Sequence, residues 1–167
     1  MRVQNKTLYL SIIIIAIFGI ILAGTLTLAK YSDKIAALCG EDEFNSCNTV
    51  QNSDYSYLIN QKTDDGSEFK IPLTLAGVVF YSFLTMLAVI LYRNETKPKK
   101  EKLSEDKIKK LKLTLFICGI LGVIFSAWFT YIQANIIEAY CAYCLVSAFD
   151  TVILLILITI VFFNNKK

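Results

Sequence analysis

Residues 141–165 read CAYCLVSAFDTVILLILITIVFFNN, two cysteines set directly before an apolar stretch that only Asp150 interrupts. As a helix, this stretch is long enough to cross a hydrocarbon core of about 30 Å. Toward the N-terminus three further uncharged runs follow: 25 residues between Lys112 and Glu138, 22 between Lys70 and Arg93, and 23 between Lys6 and Lys30. The pattern predicts an all-α membrane protein, a four-transmembrane-helix bundle in one domain over residues 1–167, with helices at about 7–29, 71–92, 113–137 and 141–163. With 55% hydrophobic and 19% charged residues, the chain is too apolar for an ordinary soluble domain. The first run exceeds the roughly 7 to 15 residues of a signal-peptide core, and Lys30-Tyr31-Ser32 is a poor small-residue cleavage site.

Orientation follows from the flanking charge, because lysine and arginine are retained on the cytoplasmic side. Residues 93–112 carry nine basic and four acidic side chains, and both chain ends are basic; residues 30–70 carry four basic against eight acidic. This places both termini and the 93–112 loop in the cytoplasm and the 30–70 loop outside. The net charge of +3 is then a topology signal, not the footprint of a nucleic-acid partner.

Of the five cysteines, Cys39 and Cys47 fall in the outer loop, and Cys141 and Cys144 fall where the chain re-enters the membrane from outside. Cys118 lies near the cytoplasmic end of the third run, about 25 to 30 Å away by helical rise, and reads as a small packing residue. The Cys-Ala-Tyr-Cys pair has the spacing of a redox dithiol. At the start of a helix it meets the positive end of the macrodipole, which favours the thiolate that disulfide exchange requires. A zinc site is disfavoured by the absence of any histidine, and a static disulfide remains open for the loop pair. Two pairs on one side of one membrane suggest a relay, from an exposed pair on a polar, acidic loop to a pair fixed at the bilayer edge. An acceptor soluble in lipid is then needed, for which a membrane quinone (menaquinone, ubiquinone or phylloquinone) is the candidate.

This pattern resembles the vitamin K epoxide reductase (VKOR) family. The resemblance rests on four spans, two outer-loop cysteines eight apart, Ser53 and Tyr55 after the second, Gly77, Phe80 and Tyr81 in the second span (IPLTLAGVVFYSFL), and a CxxC opening the last. It implies that Cys39 and Cys47 exchange with a thioredoxin-like protein, that Cys47 forms a transient disulfide with Cys141, and that Cys144 faces the quinone. Many bacterial relatives carry a fused thioredoxin-like domain; here the partner is expected to be a separate protein on the non-cytoplasmic side, at a bacterial or archaeal inner membrane. In the animal enzymes a tyrosine four residues after the last cysteine and an asparagine four before the equivalent of Gly77 contact the substrate. Ala148 and Leu73 stand there in this chain, which favours quinone reduction over epoxide reduction.

Helical periodicity sets Cys141, Cys144, Ala148 and Thr151 on one face, leaving room for a flat ring beside Cys144. Pro72 opens the second span, where Gly77 permits close helix approach and Phe80 and Tyr81 could wall the ring. Asp150, ionisable and deep in a span, is a functional candidate, although it lies about half a turn around the helix from Cys141. The expected activity is thus a quinone-linked thiol-disulfide oxidoreductase supporting disulfide formation in exported proteins. The alternatives are a reductase of vitamin K quinone or its epoxide, and a non-catalytic membrane scaffold with a structural disulfide.

Overall fold

A computed structural model describes residues 2–32, 41–42, 45–62, 68–98 and 101–164. Four long helices form the body: α1 (Arg2–Ala29), α3 (Leu73–Thr96), α4 (Glu105–Ile132) and α5 (Ala142–Phe163). All four are long and apolar enough to cross a membrane. Between α1 and α3 lie two antiparallel strand pairs and a short helix. Strands β1 (Glu41–Asp42) and β2 (Asn45–Ser46) pair ahead of α2 (Cys47–Asn52), and β3 (Tyr57–Lys62) and β4 (Glu68–Pro72) form a hairpin that feeds α3.

The helices pack as antiparallel neighbours. Thr27 of α1 donates to the Thr74 hydroxyl of α3 at 2.9 Å, Gly77 lies beside Ala23, and Gly19 lies under the Tyr81 ring, so descending positions on one helix meet ascending positions on the other. The partnership of α4 with α5 repeats this: the Ser126 and Thr151 hydroxyls are 3.1 Å apart, and Gly119 sits against Leu155 and Ile158. A core of Tyr9, Ile12, Ala16, Leu84, Leu91, Leu115, Leu154 and Ile158 fills the bundle. The outward faces are apolar as well, with Ile14, Phe18, Ile21, Val79, Ile124, Phe149 and Ile156 all exposed. A helix in water would place charge there, whereas hydrocarbon asks only that the backbone bond to itself.

At the end where the chain starts and finishes, the Asn164 side chain donates to Asn5 Oδ1 at 3.2 Å. The α3–α4 turn lies at the same end. Its Leu103 amide donates to Asn94 Oδ1 at 2.8 Å, and Lys102 pairs with Glu95 at 3.6 Å. The helices reach further into this lysine-rich segment than hydropathy indicates: α3 runs to Thr96 and α4 starts at Glu105. Lysine-rich sequence still forms helix once it leaves the hydrocarbon, and Glu105 and Asp106 in the first turn of α4 suit its positive end. Pro72 ends β4 as the residue before the helix, so α3 begins at Leu73.

A Cβ at Gly19 would overlap the Tyr81 ring, while one at Gly24 would meet nothing within 4 Å. Gly19→Val should therefore destabilise the protein by about 1–3 kcal/mol through overpacking. Gly24→Ala should be neutral or stabilising by up to about 1 kcal/mol, because it removes a helix-interior glycine. Thermal unfolding of the detergent-solubilised protein checks both, and equal midpoints for the two variants would contradict this packing.

Candidate functional site

At the end of the bundle opposite the chain termini, Cys47 and Cys141 form a disulfide across 94 residues. It joins the first residue of α2 to the residue capping the N-terminus of α5. Both half-cystines are fully buried, in a cluster with Leu26 and Ala29 of α1 and Val50 of α2. The Cys144 amide points at Cys141 Sγ from 3.4 Å, so one of the N–H groups that the start of α5 leaves without an intrahelical partner is directed at this sulfur. Cys144, half-buried, stands outside the disulfide.

The turn that delivers Cys141 is built by Gln133. Past Ile132 the chain continues as one wide π-helical turn over Gln133–Ile137, and Glu138 then adopts a left-handed conformation at φ 53°. The Gln133 carbonyl accepts the Ala139 amide at 3.1 Å, and its side-chain Oε1 accepts the Cys141 amide at 3.0 Å. Gln133 is wholly buried, and its Nε2 has no hydrogen-bond partner among the described residues.

A second clamp holds α2 from below. Lys30, the residue after α1, donates from Nζ to the Gln51 carbonyl at 2.9 Å and to Ser56 Oγ at 3.0 Å, with its ammonium 3.5 Å from the centre of the Tyr57 ring. The Ser56 hydroxyl donates to the same Gln51 carbonyl. A cation at the carbonyl end of a short helix satisfies groups that six residues of helix leave open. Burial, with Lys70 nearby as the lesser cause, pushes Lys30 down to about 8.

Beneath α2 lies a cavity of about 650 Å³. Cys144 forms part of its wall, together with Gly77, Phe80 and Tyr81 of α3, Phe125 and Trp128 of α4, and Ser147 and Thr151 of α5. Gly122 keeps the space open, since a Cβ there would come within 2.6 Å of the Phe80 ring. Polar groups in the wall are few and mostly committed. The Tyr81 hydroxyl meets Ser147 Oγ at 2.9 Å and the Ser147 carbonyl at 3.1 Å, and Thr151 donates to that carbonyl at 2.7 Å. Lys30, Gln51 and Ser56 supply the polar rim. An apolar slot with aromatic walls, a polar rim and a thiol in its wall fits a flat, lipid-soluble ring whose oxygens need few partners.

Gly77, Phe80, Tyr81 and Cys144 thus come together around one space. Ser53, Tyr55 and Ala148 are not among its walls. Ser53 caps the end of α2 by donating to the Val50 carbonyl at 2.7 Å, Tyr55 is exposed, and the Ala148 carbonyl accepts from Thr151 at 3.1 Å. Cys39 lies outside the described residues. Cys118 also borders the cavity, at its far end from Cys144: its neighbour Gly119 packs against Leu155 and Ile158, eleven and fourteen residues along α5 from Cys144. Asp150 is buried behind the wall, with Oδ2 unpartnered among the described residues and Tyr81 as a neighbour. Lys30 and Gln133 went unmarked in the sequence because each sits where an apolar run meets a polar loop and reads as ordinary solvated flank, and Gln51 because it lies mid-loop among polar residues. No group of three or more candidate metal ligands occurs among the described residues.

The family model described as the vitamin K epoxide reductase family matches residues 10–159. No curated protein matches the sequence.

Between about 8 and its ordinary value of 10.5, Lys30 is deprotonated in the folded protein but still protonated in the unfolded chain. Its contribution to stability therefore rises with pH through that window and is constant below it. Lys30→Met should flatten this part of the stability profile relative to the wild type. Unfolding midpoints at about pH 7.5 and about pH 10 measure it, and an unchanged difference between the two would show that Lys30 does not titrate there.

Proposed function

The chain belongs to the vitamin K epoxide reductase family, whose role is quinone-linked and redox, with a cysteine pair, and from that premise we propose a quinone-dependent thiol-disulfide oxidoreductase. Its donor is a separate thioredoxin-like protein on the non-cytoplasmic side, and its service is disulfide formation in exported proteins. The observation that carries this reading is the Cys47–Cys141 bond at the edge of a cavity that Cys144 lines. It has the form of an inter-pair exchange intermediate, with Cys144, outside the disulfide, as the thiol displaced.

In the proposed sequence the partner's dithiol reduces the Cys39–Cys47 disulfide and leaves as a disulfide. The Cys47 thiolate attacks Cys141 of the Cys141–Cys144 disulfide, and Cys144 departs with the bonding pair. Cys39 attacks Cys47, which reforms the loop disulfide and releases Cys141 as a thiolate. A bound quinone supplies the acceptor for two electrons and two protons. Cys141 and Cys144 give up both and close their own disulfide, so one partner dithiol is oxidised for each quinone reduced. The helix N-terminus at Cys141 favours each thiolate in turn. Phe80 and Trp128 flank the ring, and Cys144 presents its sulfur to it.

Quinone reduction is favoured over epoxide reduction by Leu73, an apolar residue in the cavity wall, and by Ala148. Their positions carry polar substrate contacts in the animal enzymes. The charge asymmetry of the loops supports cytoplasmic termini, with α2 and the hairpin outside.

Purified protein, supplied with a reduced thioredoxin-like donor, should reduce benzo- or naphthoquinones, and Cys144→Ser should abolish turnover. Absence of quinone reduction by the wild type across several donors would sink the enzyme reading. Full activity in Cys144→Ser would sink the relay.

A further inference from the structure

The relay proposed above requires Cys141 to leave as a thiolate from a position where it is wholly buried. An anionic sulfur in such a place needs hydrogen-bond donors, because burial without them raises a thiol pKa and makes it a poor leaving group. One donor is in place, the Cys144 amide 3.4 Å from Cys141 Sγ. The cluster about Cys141 consists of Leu26 and Ala29 from α1, Cys47 and Val50 from α2, and Phe129, Ile137, Ala139, Tyr143 and Cys144 from α4, the following turn and α5. Its titratable members are Tyr143 and the cysteines, and Glu138 is exposed beyond it. The nearest charged group in sequence to the cluster is Lys30, next to Ala29, and its ammonium is turned to the Gln51 carbonyl and Ser56 Oγ.

We propose that the side-chain amide of Gln133 is the second donor, receiving the Cys141 thiolate when the bond to Cys47 opens. Three observations converge on it. Gln133 is fully buried, and its Oε1 is fixed 3.0 Å from the Cys141 amide, which sets the whole carboxamide against this one residue. Its Nε2, with two protons, has no partner among the described residues, and a buried donor left without an acceptor is costly. The disulfide state is the state in which such a donor has nothing to do, since a neutral half-cystine sulfur is a weak acceptor. Once Cys39 attacks Cys47, the Cys39–Cys47 bond forms, the Cys47–Cys141 bond breaks, and its electron pair stays on Cys141 Sγ. The lone N–H₂ then has an anionic partner.

Gln133 thereby acts twice. Its carbonyl and Oε1 hold the turn that presents Cys141, and its Nε2 lowers the energy of the thiolate. The wide turn at Gln133–Ile137 serves this arrangement, because it turns a residue at the end of α4 inward, toward the N-terminus of α5.

The two roles separate in the redox equilibrium of the Cys141–Cys144 couple, followed against pH in dithiol buffers by mass spectrometry of the full-length protein. Potential plotted against pH changes slope at the thiol pKa. Gln133→Met, similar in volume and without polar atoms, should move that break to higher pH and make the pair about tenfold harder to reduce near neutral pH, or about 30 mV. Gln133→Glu keeps an acceptor for the Cys141 amide and sets negative charge beside the sulfur. It should move the break further while retaining the thermal midpoint better than Gln133→Met. A break at the wild-type pH in both variants would overturn the proposal and leave Gln133 as a turn-former. The readout needs no quinone, so failure of quinone reduction by the wild type would count against the proposed function and not against this donor.

Discussion

The bond from Cys47 to Cys141 ties a polar, six-residue helix to the end of an apolar one, and the rest of the arrangement answers to that junction. A segment rich in acidic and amide side chains does not rest against a bilayer edge by hydrophobicity alone. It is pinned at its first residue by sulfur and at its last carbonyls by Lys30 and Ser56. Those two attachments hold α2 over the cavity, with Cys47 bonded to the residue that caps α5. The four helices provide what lipid demands, a backbone bonded to itself, and the chemistry is confined to the end where loop meets bilayer.

Below α2, polarity is graded. The rim carries Lys30, Gln51 and Ser56; the middle carries hydroxyls bonded to one another; the walls are Phe80, Phe125 and Trp128. Trp128 and Leu121 are more than half exposed, at 56% and 57%, so the α4 side of the cavity borders the hydrocarbon. Such a space suits a ring that arrives from the membrane with an apolar tail and meets sulfur at Cys144 without passing through water. Gly122 is indispensable to this shape, because any side chain there would occupy the place of the Phe80 ring or displace Thr151, 3.1 Å from the added Cβ.

The four spans were legible because uncharged runs of more than twenty residues have few other physical explanations. The place of Cys141 and Cys144 at the start of the last helix was legible because both stand directly before an apolar run. Helix ends were less so: charge marks where hydrocarbon stops, whereas a helix goes on as long as its backbone bonds are satisfied, as α4 does back to Glu105. Gly77, Phe80 and Tyr81 line the cavity, while Ser53, Tyr55 and Ala148 stand apart from it. A face shared on one helix does not decide which residues border a space between helices. Gln133 gave no signal, since a glutamine near a span boundary looks the same whether it faces water or a buried amide, and Gln51 gave none because it lies mid-loop among other polar residues.

Disulfide mapping in the reduced Cys39→Ser chain after addition of a quinone bears most directly on the central claim, that Cys47 and Cys141 are the atoms through which the two pairs communicate. Without its resolving partner, Cys47 should remain joined to Cys141, and the linked peptide should accumulate to about one per chain with Cys144 as a free thiol. Accumulation of a Cys47–Cys144 link, or of a closed Cys141–Cys144 disulfide with Cys47 still reduced, would contradict the account.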